Sequence, residues 1–112
     1  MGHFGLCARS RNAKDARPCI VVSRTEADDV SSTVTIVPLS SVSGRAPDRM
    51  VQPLFSAKET LLPKDSRALC DQVRMVDRRR IRDTVGVLSP ELVGRVDRGL
   101  ILHLELEDYV TI

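Results

Sequence analysis

Five residues carry side chains that could bind an anion or move a proton beside it: Arg17, Ser40, Asp71, Gln72 and Arg74. An arginine offers a planar fork of donors that matches a phosphate, a serine hydroxyl can donate to a further oxygen, and a carboxylate can accept a proton. Each of the five sits at or near the end of an apolar run, or interrupts one. Read from residue types alone, the set is a candidate anionic-ligand site.

The elements that must position them follow from the apolar pattern. Residues 19–23 and 33–39 are rich in Val, Ile and Thr, which favour a pleated, half-buried surface, so both read as strands. Pro18 pushes Arg17 toward extended backbone. Antiparallel pairing of the two runs brings Arg17 beside Ser40 on one rim of the sheet. Residues 69–76, LCDQVRMV, read as a third strand. Its alternation sets Leu69, Asp71, Val73 and Met75 on one face and Cys70, Gln72, Arg74 and Val76 on the other. A polar residue interrupts each face, so part of this strand is expected at a polar site.

Further strands are predicted at 3–8, at 50–55, where Pro53 argues for an edge, and at 84–88. Residues 9–16 and 42–49 read as loops, the second broken by Gly44 and Pro47, and 56–64 as a turn or short helix. Residues 77–83, DRRRIRD, read as a charged turn or short helix, and Arg78 to Arg82 as solvated in preference to a phosphate patch. Ser89-Pro90-Glu91 announces a helix, with Ser as N-cap and Pro at the first helical position. Leu92, Val93, Val96, Leu100 and Leu104 give it an apolar stripe, and it is expected to run to about Leu106. The sum is one mainly β (α+β) domain over 1–112: a small open barrel or strongly bent sheet with a C-terminal helix packed on it.

Composition narrows the function. The chain has 112 residues, 42% of them hydrophobic, but only 3% aromatic. The core must therefore be built from Val, Leu and Ile, and the aromatic stacking platforms of many single-strand RNA binders are missing. Net charge is only +2, so charge alone does not announce a nucleic-acid protein. The cations are nearly all Arg, which suits phosphate recognition but equally follows from GC-rich codon usage. No apolar run approaches the roughly 20 residues that span a bilayer, and no secretory leader is visible. Cys7, Cys19 and Cys70 lack metal-ligand spacing and Cys19 and Cys70 are expected to be buried thiols. A cytoplasmic protein without metal or other cofactor is the expectation. His3 and His103 are isolated, and there is no phosphate-binding glycine loop or hydrolase elbow.

Four segments in series then carry a family resemblance. ARPCIVVS, STVTIVPLSS, LPKDSRALCDQVRMVD and GVLSPELVGRVDRGLILHLEL resemble, in order and spacing, the MazF/PemK family of bacterial toxins. The resemblance covers residues 17–106. It implies the SH3-like barrel shared by MazF and CcdB toxins, a homodimer, and a metal-independent endoribonuclease that cuts single-stranded mRNA at short motifs. It also implies a cognate, MazE-like antitoxin that silences the toxin through its RNA groove. Arg17 matches the family's Arg-Pro arginine, and Ser40 matches the Thr or Ser closing the Val-Pro-Leu strand. Asp71 matches the aspartate of a segment that in one branch also supplies an arginine, where this chain has Leu69.

On this reading Arg17 and Ser40 stabilise the charge building on the phosphate and Asp71 is the candidate base. An ion pair of Asp71 with Arg74 is the equal alternative. Ser41, Arg45, Gln72, Arg74 and Arg11 are the expected RNA contacts. The family's usual opening strand and its glycine-containing loop are not matched by residues 3–16. A gyrase-binding, CcdB-like toxin without nuclease activity, or an inactive RNA- or antitoxin-binding relative, is the alternative function.

Overall fold

The computed structural model describes residues 5–9, 17–22, 32–43, 47–60 and 62–110; the side chains of 5–9, 17 and 82–85 are outside that description. Seven strands form one antiparallel sheet: β1 (Gly5–Arg9), β2 (Arg17–Val21), β3 (Thr33–Ser41), β4 (Leu54–Phe55), β5 (Ser66–Ala68), β6 (Arg74–Asp77) and β7 (Ile81–Val87). Among the described residues two α-helices accompany them, α1 (Ala57–Thr60) and α2 (Pro90–His103). The strand order is β4-β5-β3-β2-β1-β7, with β6 also paired to β3. The mainly β architecture with a C-terminal helix is thus the one expected.

The nine-residue β3 is the centre of the sheet. One edge pairs with β2, with Cys19 opposite Pro38 and Val21 opposite Ile36. The other edge is shared by two strands. β5 pairs with Leu39–Ser41 and β6 with Thr33–Ile36. Between them the chain takes six residue steps, from Ala68 to Arg74, while β3 takes three, from Leu39 to Ile36. The surplus is a 3-10 turn at Cys70–Gln72. The continuous strand expected over 69–76 is therefore two strands and a protruding turn.

Pro38 supplies the physical reason. Its carbonyl accepts from Leu69 N at 2.9 Å, so this residue's missing N–H would face the same edge. Proline cannot donate to a ladder, and the partner strand leaves the sheet just past this position.

Alternation along β2 and β3 divides the core. Ile20, Val37 and Leu39 join Phe55, Ala68, Cys70, Leu88, Leu92 and Val96 in the layer that includes α2. Cys19, Val21, Val34, Ile36 and Val76 form a second cluster. Helix α2 begins as its sequence requires: the Ser89 side chain accepts from Leu92 N, and Pro90 opens the first turn. It ends at His103, short of Leu106. Leu106 N reaches back to Ile101 O at 2.9 Å, and Glu105 turns into the left-handed region at φ 56°, the closure that commonly stops a helix. Arg95, on the polar side of α2 by periodicity, straps the helix down. It donates to Leu54 O at 3.0 Å and pairs with Glu91 and Glu59.

Other boundaries shift as well. Of the strand expected at 50–55 only Leu54–Phe55 pairs, because Gln52 N bonds Arg49 O and closes a turn. β7 starts at Ile81, so the expected turn shortens to Arg78–Arg80. There Arg79 is solvated and pairs with Asp77 at 3.0 Å, its hydrogen bond holding the Asp77 carboxyl down to about 2. Arg78 departs from the solvated reading. Its Nε and Nη2 are buried and make no hydrogen bond among the described residues. Arg11 and Arg45 lie outside the described residues.

Two helix glycines give opposite expectations. A Cβ on Gly99 would stand 2.7 Å from Cys70 Sγ and 3.0 Å from the Met50 carbonyl, whereas nothing lies within 4 Å of one on Gly94. Gly94→Ala is expected to stabilise by about 0.5–1 kcal/mol through helix propensity. Gly99→Ala is expected to lose more than that gain, because overpacking costs about 1–3 kcal/mol. Thermal melts followed by circular dichroism should shift in opposite directions.

Candidate active site and RNA groove

The rim where β2 begins and β3 ends opens into a groove of about 860 Å³. Its floor is the β2–β3 pair, represented by Pro18, Cys19, Ile36, Pro38, Leu39, Ser40 and Ser41. One wall is the segment entering β5, with Leu62, Pro63, Lys64 and Ser66. The other is the 3-10 turn and the start of β6, with Leu69, Gln72 and Arg74. The three-residue surplus opposite Pro38 therefore serves the site directly. It lifts Gln72 off the ladder and into a wall.

Ser40 and Ser41 are exposed at the end of β3, their backbones paired with Arg67 and Ser66 of β5. Ser40 Oγ makes no hydrogen bond among the described residues and is free to donate. Arg17 occupies the first position of β2. The β2–β3 register runs Cys19 opposite Pro38, so each strand has two residues more before Arg17 and Ser40 are reached, at the same end of the pair. Only the backbone of Arg17 is described. Gln72 and Arg74 are exposed on the wall. Arg74 forms no ion pair among the described residues, so its guanidinium is available to a ligand.

Asp71 is placed differently. Its carboxylate is absent from the groove lining and accepts from Gln52 Nε2 through both oxygens, at 3.0 and 3.1 Å. The pair with Arg74 is not formed. The continuous strand expected at 69–76 would have set Asp71 and Gln72 on opposite faces of the sheet; the 3-10 turn sends them apart by another route.

Lys64 and the apolar shelf of Leu62 and Pro63 were not picked out as site residues. Their signal is weak, although Lys64 is one of only three lysines in the chain. Gln52 and Arg67 were missed for a different reason, since their roles depend on long-range geometry. Arg67 donates to Gln52 O at 3.1 Å and to Pro47 O at 2.9 Å, fixing the 47–53 loop behind the groove.

Cys70 is wholly buried beneath the turn, and burial pushes its thiol up to about 12. It is a packing group and not a nucleophile. Among the described residues, no group of three or more His, Cys, Asp or Glu is placed to hold a metal ion, and no helix is long and apolar enough to cross a membrane.

The site is thus a groove of hydroxyls, an amide and cations at the end of the central strands of an antiparallel sheet braced by a C-terminal helix. The profile described as "PemK-like, MazF-like toxin of type II toxin-antitoxin system" matches residues 6–104, and the chain belongs to that family. It is 31% identical over 104 residues to Endoribonuclease MazF9 of Mycobacterium tuberculosis, covering 88% of this chain and 86% of the relative. Among solved structures, the Mycobacterium tuberculosis toxin MazF-mt6 superposes with a TM-score of 0.74 at 14% identity, covering 90% of this chain and 96% of that one. The MazE-MazF complex (Form-II) from Deinococcus radiodurans gives 0.71 at 19% identity, covering 89% and 90%. An endoribonuclease in complex with its cognate antitoxin, from a mycobacterial species, gives 0.69 at 16%, covering 94% and 93%.

Proposed function

We propose that this chain is the toxin of a type II toxin–antitoxin pair and an endoribonuclease that cleaves single-stranded RNA, chiefly mRNA, without a metal ion. The observation that carries this reading is the groove itself. A member of the MazF/PemK toxins has its rim serines, an Arg74 guanidinium with no ion pair among the described residues and the Lys64 ammonium around one open groove. Prolines and leucines supply flat apolar surface for bases where no described aromatic ring lines the groove. The relatives named for ribonuclease activity support this reading over a gyrase-binding one.

In the proposed reaction the 2′-hydroxyl attacks the adjacent phosphorus and the bond to the 5′-oxygen breaks, leaving a 2′,3′-cyclic phosphate and a 5′-hydroxyl. Arg17 neutralises charge on the non-bridging oxygens, and Ser40 donates to one of them. Arg17 stays protonated, so it acts as a fixed cation and not as the base. Ser41, Gln72 and Arg74, with Arg45 and Arg11 from the flanking loops, bind the RNA. The family also implies a homodimer working in the cytoplasm and a MazE-like antitoxin whose acidic segment occupies the groove.

The test is cleavage of a long RNA by purified protein in excess chelator, mapped by primer extension. The expected result is a small set of stops sharing one short motif and unaffected by chelation. Absence of stops, or their loss with chelator, would overturn the reading.

A further inference from the structure

We propose that Gln52 and Asp71 form a clamp that positions the 3-10 turn, so that Asp71 acts through Gln52 and is not the base of the reaction. The proposal rests on the ribonuclease reading of the groove for its consequence, but not for its geometry.

Gln52 is held at three points. Its N–H donates to Arg49 O at 3.0 Å, its carbonyl accepts from Arg67 Nη1 at 3.1 Å, and its side-chain amide donates to both Asp71 oxygens. Arg67 lies opposite Ser40 in the β3–β5 ladder. The hook that holds Asp71 is therefore built on the strand that pairs with the Ser40 backbone. An amide donating to a carboxylate is a charge-assisted bond, stronger than a neutral one.

The other end of the turn is fixed by packing. Cys70 Sγ lies 3.8 Å from Val96 O, and Gly99 leaves no room beside it. Gln72 follows Asp71 directly and lines the groove, its N–H bonded to Leu69 O at 2.9 Å. With Cys70 anchored to α2 and Asp71 to Gln52, the two residues between these anchors and β6, Gln72 and Val73, are held at both ends. A three-residue excursion from a sheet has few ladder bonds of its own, and local opening is suppressed by tertiary ties of this kind. A reading residue held by such ties meets its ligand without an ordering cost.

The experiment uses the full chain with Gln52→Ala, Asp71→Ala, the double variant and Asp71→Asn. Amide hydrogen exchange reports on the turn independently of activity. Gln52→Ala and Asp71→Ala are each expected to quicken exchange at Gln72 and Val73 by about tenfold to a hundredfold. The double variant should be no faster than either single one, because each removes the same bond. Asp71→Asn keeps one neutral acceptor for the Gln52 amide and should fall between wild type and Asp71→Ala in exchange and in cleavage rate. Cleavage by Gln52→Ala and Asp71→Ala should fall together, with an altered motif at the mapped stops.

Unchanged exchange in both single variants would overturn the clamp. So would an Asp71→Asn protein as inactive as Asp71→Ala beside a fully active Gln52→Ala, the result a catalytic base would give. If Asp71→Ala does not fold, Gln52→Ala and Asp71→Asn decide by the same criteria. Wild-type protein that cuts no RNA overturns the ribonuclease reading alone, and the exchange data still judge the clamp.

Discussion

Arg17→Ala is expected to abolish growth arrest on induction and to reduce RNA cleavage by about a thousandfold, with Ser40→Ala reducing it by about a hundredfold. The charge that develops on the phosphate needs donors already in place, and a rim built from the ends of two paired strands provides them. Ser40 is exposed and its hydroxyl has no described partner, so its loss removes chemistry without opening the core. Its backbone remains held by the ladder to Arg67. Arg17→Lys should recover only part of the activity, because an ammonium is a point charge and cannot reproduce the planar fork. Single-turnover cleavage of one mapped site, with thermal melts as the folding control, measures all three. Cleavage at wild-type rates by both alanine variants would remove the proposed pair from the mechanism.

Phe55→Ala is expected to cost about 3–5 kcal/mol. Phe55 is fully buried and is the largest described side chain in the layer between the sheet and α2. The chain has only two Phe, one Tyr and no Trp, so the neighbouring Val and Leu side chains have little bulk with which to fill the hole. A domain of this size is stable by only about 5–15 kcal/mol. In urea, with a slope of about 1–3 kcal/mol per molar, the midpoint should fall by more than about 1 M. A loss below about 1 kcal/mol would show that the layer can collapse around the gap.

Most of the architecture was legible because it is written in local patterns. The β-branched runs of β2 and β3 alternate in and out, and a one-residue slip would reverse every side chain, so the register that puts Arg17 and Ser40 at one end follows. The Ser89-Pro90 start of α2 is local chemistry, and its cap formed as read. The break between β5 and β6 was also present in the sequence, as Pro38 in the middle of a long central strand. Reading it required knowing which edge the missing N–H faces, and that depends on the partners.

Two features illustrate what the tertiary structure alone decided. Arg95 lies on the polar side of α2 by periodicity, yet it reaches across to Leu54 O and Glu59. Asp71 has the residue type of a base, and its neighbours in sequence offered Arg74 as a partner. The fold instead delivers Gln52, 19 residues away, and sends Gln72 into the groove.

The sequence by itself determined the strand pair, the helix, the family and the identity of the rim residues, because alternation, capping and residue type act over a few neighbouring positions. Only the tertiary structure decided which of those residues face one another across the groove. The direction of a side chain on a 3-10 turn is set by what anchors the turn, here Gln52 on one side and the Cys70–Gly99 packing on the other, and both anchors come from elsewhere in the chain.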